Sequence, residues 1–321
     1  MGHQDGDEAV TLRVGVIGVG TMGSLHARVV ATHPSTTLAW VCDPSEDVGR
    51  PIAERFSTSY LNVPEFENVD AVVVAAPTQY HVEIGLSVLD HDLPLLLEKP
   101  LAEHLTGVSQ LLRKAEDRDI PLMCGLLERF NPAVRTAFEL SRDPIHFRSV
   151  RHSPMTSRIS TGVGGDLLIH DLDLVLRLFG SAPLGISGLR DKSDARGGES
   201  ENIAELMLSF GESRIASLSA SRRSQRKIRS ISIAEPDRLI EVDLLRQDVT
   251  IYRHVLESPA EDDLGYRQNT IIDLPVLRFH GEPLMLQLDH FIDLIYGKKD
   301  YVTERHSLLL PHEVLAKFIG S

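Results

Sequence analysis

Cysteine is scarce: two residues, Cys42 and Cys124, occur among 321. Neither has a CxxC or Cys/His neighbour pattern, and both sit in apolar runs that read as strands. They are expected to be small buried hydrophobes in a reducing compartment. Long apolar runs are missing too, since no stretch approaches the roughly 18 residues needed to cross a bilayer. The first residues, Met1 to Glu8, are polar and acidic where a signal peptide would be basic and then apolar. A cytoplasmic location without a membrane partner is expected. Basic residues are in deficit, with 33 Lys and Arg against 46 Asp and Glu and a formal net charge of -13. There is no dense basic run and no basic helix face alternating with aromatics, which argues against nucleic acid as a partner.

Several chemistries are missing as motifs. Fourteen histidines are present, but they form no HExxH or paired Cys/His arrangement, so no metal site is expected. There is no GxSxG elbow of a serine hydrolase and no GxxxxGK[ST] phosphate loop. No internal repeat or low-complexity block occurs.

What is present suggests two domains with a core large enough to need no covalent staples. After an acidic tail over residues 1–11, apolar strands alternate with helix-length segments: Leu12 to Gly18, Thr21 to Ala31, Thr37 to Cys42, Glu46 to Phe56, Asp70 to Ala76, His81 to Asp90, Leu95 to Leu97, Leu105 to Asp117 and Pro121 to Gly125. Strands apolar throughout predict a parallel sheet covered on both faces. Beyond about residue 130 the rhythm changes. Helices are expected after Pro132 and over Gly165 to Phe179, with β-rich segments near Ile145 to Arg151 and from Gly185 to Tyr252 that predict a mainly antiparallel sheet. Helices near Pro283 to Tyr296 and Ser307 to Phe318 close the chain. The domains are drawn at 12–128 and 129–321, with the last helices able to pack back on the first, and Arg190 to Glu201 is expected to be a mobile loop.

The sharpest local signal is Gly18-Val19-Gly20-Thr21-Met22-Gly23, a GxGxxG between an expected strand and helix. Glycine lets a pyrophosphate approach the backbone, and the helix N-terminus offers free N–H groups. Asp43 follows at the end of the next strand, where a carboxylate can accept hydrogen bonds from an adenosine ribose and repel a 2'-phosphate. NAD is therefore favoured over NADP. Ala76-Pro77-Thr78 with His81, and Glu98-Lys99-Pro100, follow later strands at the edge where open α/β sheets bind ligands. By position alone, Lys99 could be a solvated partner of Glu98, and His81 a capping or packing histidine. Asp166 and His170, four residues apart on an expected helix, suit a carboxylate that orients an imidazole for proton removal. The bland alternative is a helix whose early acids favour the dipole. Asp171 and Asp173 fit that alternative better.

The ordered set Gly18 to Gly23 with His26, Ala76-Pro77-Thr78 with His81, Glu98-Lys99-Pro100, and Gly164-Gly165-Asp166 to His170-Asp171-Leu172-Asp173 resembles the Gfo/Idh/MocA oxidoreductase family. The resemblance implies an N-terminal Rossmann domain holding NAD and a C-terminal α/β domain with a large open sheet. It implies that Lys99 hydrogen-bonds the nicotinamide ribose and the substrate hydroxyl, and that Asp166 and His170 supply the acid/base. Glu128 to Val134, Thr161-Gly162-Val163 and Ser224 to Arg229 look like the branch that oxidises the 3-hydroxyl of nucleotide-linked N-acetylhexosamines. Arg151 to Met155 departs from that branch, so a free sugar or inositol stays open as substrate. Arg129, Asn131 and Arg158 are candidate substrate contacts, with surface ion pairing as the alternative. A ketoreductase, a ping-pong enzyme with a permanently bound cofactor and a non-catalytic dinucleotide sensor are the other readings. A homodimer or homotetramer is expected from the exposed sheet.

Overall fold

The computed structural model describes residues 11–155, 161–191, 201–257 and 267–320. Arg158, most of the acidic tail and most of the loop expected over Arg190 to Glu201 fall outside them. The chain divides into two compact units, one holding residues up to Gly125 with Leu284–Leu309, the other Leu126–Pro283 with Leu310–Ser321. Among the described residues no helix is long and apolar enough to cross a membrane.

The first unit runs β1 (Leu12–Ile17), α1 (Thr21–Thr32), β2 (Thr36–Cys42), α2 (Glu46–Phe56), β3 (Ser59–Leu61), β4 (Ala71–Val74), α3 (His81–Asp90), β5 (Leu95–Leu97), α4 (Leu105–Asp117) and β6 (Leu122–Cys124). Its sheet has the order β3-β2-β1-β4-β5-β6, with every pair parallel. All four residues of β4 and all three of β5 are buried, because helices cover both faces of a parallel sheet. Parallel strands also end together. The ladder continues one residue past each strand end, with N–H groups of Gly18, Ala75, Glu98 and Gly125 bonding to Cys42, Ile17, Val74 and Leu97 at 2.8, 2.8, 2.9 and 2.8 Å. The glycine turn, the Ala76 segment and the Glu98 segment therefore share one edge.

The second unit contains α5 (Pro132–Leu140), β7 (His146–His152), α6 (Ile169–Phe179), β8 (Gly185–Asp191), β9 (Ile203–Ser209), β10 (Ile215–Ser221), β11 (Ile228–Glu235), β12 (Arg238–Asp243), β13 (Asp248–Glu257) and β14 (Arg267–Asp273). Its sheet order is β14-β13-β12-β11-β7-β10-β9-β8, antiparallel apart from the β7–β10 pair. Alternation sets its faces: along β9, Ala204, Leu206 and Leu208 are buried while Glu205, Met207 and Ser209 are exposed. The buried face packs against α5 and α6. Three helices close the chain, α7 (Pro283–Ile295), α8 (Tyr301–His306) and α9 (Leu309–Ile319).

Candidate active site

The glycine turn is built for close approach. Gly18 has φ +77°, a left-handed conformation that side chains resist, and a Cβ there would stand 2.7 Å from the Ala76 nitrogen. At Gly23 a Cβ would press to 1.7 Å from the Gly18 oxygen, so only glycine lets α1 start this close to the turn. Around Gly20 the space is open, and the α1 N-terminus has neither a side-chain cap nor an acid in its first turn. A helix start without a side-chain cap, beside open space at Gly20, suits a pyrophosphate.

Asp43 does two things in this turn. Its Oδ2 accepts the Val19 N–H at 3.0 Å and its Oδ1 the Ser45 N–H at 3.0 Å. Each carboxylate oxygen keeps a further lone pair for a ribose hydroxyl. Arg50, the arginine of α2 that could meet a 2'-phosphate, bonds to Glu46 through Nε at 2.7 Å. These residues fit NAD. Burial, then the Asp43 charge, pushes the neighbouring Cys42 thiol up to about 11, which makes it an inert core group.

At the next strand ends, Glu98 is buried yet ionised. Burial alone would raise its carboxyl, but the hydrogen bond and charge of His26, helped by Lys99, hold it below the usual range. His26 Nε2 lies 2.8 Å from Oε1, and the Lys99 N–H donates to Oε2 at 3.2 Å. His81, 1% exposed, places Nδ1 and Nε2 each 2.8 Å from the carbonyls of Pro100 and Ala76. It ties the loop after β4 to the loop after β5.

In the second unit, the segment before α6 departs from the expected α-helix: Gly164–Leu168 forms a π turn, a feature frequent at functional sites. Glu201 anchors it, accepting the Gly164 N–H at 2.8 Å while its own carbonyl accepts the Val163 N–H at 3.0 Å. Three acids of this helical segment each meet an arginine. Arg222 Nη2 donates to Asp166 Oδ2 at 2.8 Å. Arg151 bonds Asp171 at 2.7 Å and Glu128 at 2.8 Å. Arg129 grips Asp173 through Nε at 2.7 Å and Nη2 at 2.5 Å.

Burial removes surface ion pairing as the alternative at Arg129 and Asn131. Arg129 has a buried side chain engaged with Asp173. Asn131, 4% exposed, caps α5 by accepting the Ala133 N–H at 3.1 Å and donates to Glu128 at 3.1 Å. Both arrange the scaffold. The pairings of Arg151, Arg222 and Glu201 left no trace in the sequence, where 20, 56 and 37 positions separate these residues from their partners.

A parallel sheet in the order 3-2-1-4-5-6, with a glycine turn opening α1 and a carboxylate at the end of the second strand, is the architecture of a dinucleotide-binding domain. The chain belongs to the Gfo/Idh/MocA family of NAD-dependent dehydrogenases acting on alcohol groups: the model of the oxidoreductase family with an NAD-binding Rossmann fold matches residues 12–126 and that of the Gfo/Idh/MocA C-terminal domain residues 134–235. Among curated relatives it is similar to the UDP-N-acetylglucosamine 3-dehydrogenase of Acidithiobacillus ferrooxidans, 29% identical over 252 residues, covering 76% of this chain and 77% of that one. A solved structure of that enzyme superposes with TM-score 0.79 at 25% identity, covering 96% of this chain and 97% of the other. The scyllo-inositol 2-dehydrogenase (NAD(+)) of Bacillus subtilis is 27% identical over 317 residues, covering 91% of this chain and 89% of its own.

Proposed function

We propose that the protein oxidises a secondary alcohol of a nucleotide-linked sugar, the 3-hydroxyl of a UDP-N-acetylhexosamine. The observation that carries this reading is the likeness to the Acidithiobacillus ferrooxidans enzyme in both sequence and fold.

In this reading His170 accepts the hydroxyl proton through its imidazole. Asp166 orients that imidazole and favours its protonated form, and Arg222 holds one oxygen of Asp166. Lys99 donates a hydrogen bond to the hydroxyl oxygen and stabilises negative charge as the proton leaves. NAD bound at the Gly18 turn supplies the hydride acceptor. The intact Lys99, Asp166 and His170 set speaks against a pure sensor, which needs no proton acceptor.

A polyol substrate is the second reading, supported by the likeness to the inositol dehydrogenase along 91% of the chain. Formation of reduced nicotinamide, followed by absorbance with UDP-N-acetylglucosamine and with inositols in parallel, tests the two. Turnover of the nucleotide sugar supports the first reading, and turnover of inositols alone replaces it with the second. The reading includes a homo-oligomer, supported by Leu189, Met207 and Ile215 exposed on one face of three adjacent strands. Sedimentation that gives a monomer would remove that part.

A further inference from the structure

From just before β10 to near the end of β11 the sign of this acidic chain reverses. Between residues 213 and 234 stand Arg214, Arg222, Arg223, Arg226, Lys227 and Arg229, with no Asp or Glu. The run is short enough to vanish in a net charge of -13.

Its geometry concentrates the charge. Arg229 stands opposite Arg151 in the β11–β7 ladder, an unfavourable pairing unless acids offset it. Arg151 takes the larger share of those acids, bonding Asp171 and Glu128. Among the described residues Arg229 pairs with Glu128 alone, at 3.6 Å, and its side chain is 33% exposed. Burial first, and Arg151 second, lower its pKa. Lys227, exposed at the entry to β11, has its pKa lowered first by Arg229 and then by burial. The carboxylates of Asp166 and Asp171 act electrostatically on Arg229, so this surplus lies within reach of the segment that carries His170. Nearby, Arg222 bonds Asp166 through Nη2 while its buried Nε has no hydrogen-bond partner among the described residues.

We infer that Lys227 and Arg229 form an anion subsite that grips the diphosphate of the sugar substrate. The inference rests on the nucleotide-sugar reading above. An ammonium gives a compact point charge and a guanidinium a forked donor, a pair suited to two adjacent phosphoryl groups. A half-buried cation with one shared acid gains most from such a ligand, because water screens it least.

Titration calorimetry of UDP into the NAD-loaded enzyme tests the subsite without turnover. Wild type should bind UDP, with affinity falling as salt rises. Lys227→Gln and Arg229→Gln should each weaken binding by about ten- to a hundredfold, the size expected for a charge-assisted contact. Arg246→Gln, which changes an exposed arginine paired with Asp243, controls for net charge and should leave the affinity unaltered. Lys227 is exposed, so its variant keeps the test valid if Arg229→Gln does not fold. No UDP binding by wild type, or wild-type affinity in folded Lys227→Gln, overturns the subsite. Weakened UDP binding together with no oxidation of UDP-N-acetylglucosamine leaves the subsite standing and removes the proposed oxidation. Oxidation with unaltered UDP affinity in Lys227→Gln does the reverse.

Discussion

Nε2 of His26 lies 2.8 Å from Oε1 of Glu98, with 4% and 8% of the two side chains exposed. The bond ties the helix that opens at the glycine turn to the segment carrying Lys99. Cofactor cradle and amine are thereby held in one frame. An ionised Glu98 can only accept, so His26 donates from Nε2.

Removing one partner of a buried pair costs more than the pair contributes, since the other is left uncompensated. His26→Ala should lower unfolding free energy by about 3–5 kcal/mol, measured by urea denaturation. Glu98→Gln, which removes the buried charge and keeps the shape, should cost less. Equal losses in both would show that packing, rather than charge, dominates here.

Asp43 is predicted to govern cofactor choice. Asp43→Ser removes the carboxylate that would repel a 2'-phosphate and accept ribose hydroxyls. It also weakens the support of the Val19 and Ser45 N–H groups. The ratio of kcat/KM for NAD to that for NADP should fall by at least about tenfold, roughly the size of one charge-assisted contact. An unchanged ratio would move ribose recognition elsewhere.

Arg151 is fully enclosed between two carboxylates. Coulomb attraction from Asp171 and Glu128 outweighs a burial penalty that is itself the largest single influence, and the guanidinium stays charged. Arg151→Met leaves Asp171 and Glu128 without their shared cation and should destabilise by about 3 kcal/mol or more. The double variant with Asp171→Asn should recover part of that loss. No recovery would mean that the two residues are not energetically coupled.

Acid should weaken the first unit through His81. Burial, outweighing the help of two carbonyl acceptors, lowers its pKa from the ordinary 6.5. Below that value the unfolded chain takes up a proton that the folded chain resists. Stability is therefore full above about pH 6.5 and declines as pH falls toward the folded value. His81→Gln should flatten the dependence of unfolding free energy between about pH 7 and pH 5. A slope equal to wild type would place the proton uptake on other groups.

The frame of the first unit was legible because its signals are local. α2, α3, β5 and α4 fall at the expected bounds, and so does the turn between β1 and α1. β3 escaped because three residues at a sheet edge show no period, and β14 because Arg267-Gln268-Asn269 reads as polar loop. α8 has only six residues, although Asp300 at its N-cap, accepting the Val302 N–H at 2.9 Å, was a visible signal. The π turn was hidden because periodicity does not distinguish an i→i+5 bond from i→i+4 over a single turn. The arginines that hold Asp166, Asp171 and Asp173 come from distant sequence, and spacing carries no trace of such pairs.

The most direct test of the account is oxidation itself, followed as reduced nicotinamide in the presence of NAD and UDP-N-acetylglucosamine, for wild type and for His170→Ala. Wild type should turn over, and the variant should lose about two to four orders of magnitude in kcat, the usual contribution of a general base, with NAD affinity retained. A variant as fast as wild type would contradict the role assigned to His170 and the mechanism built on it.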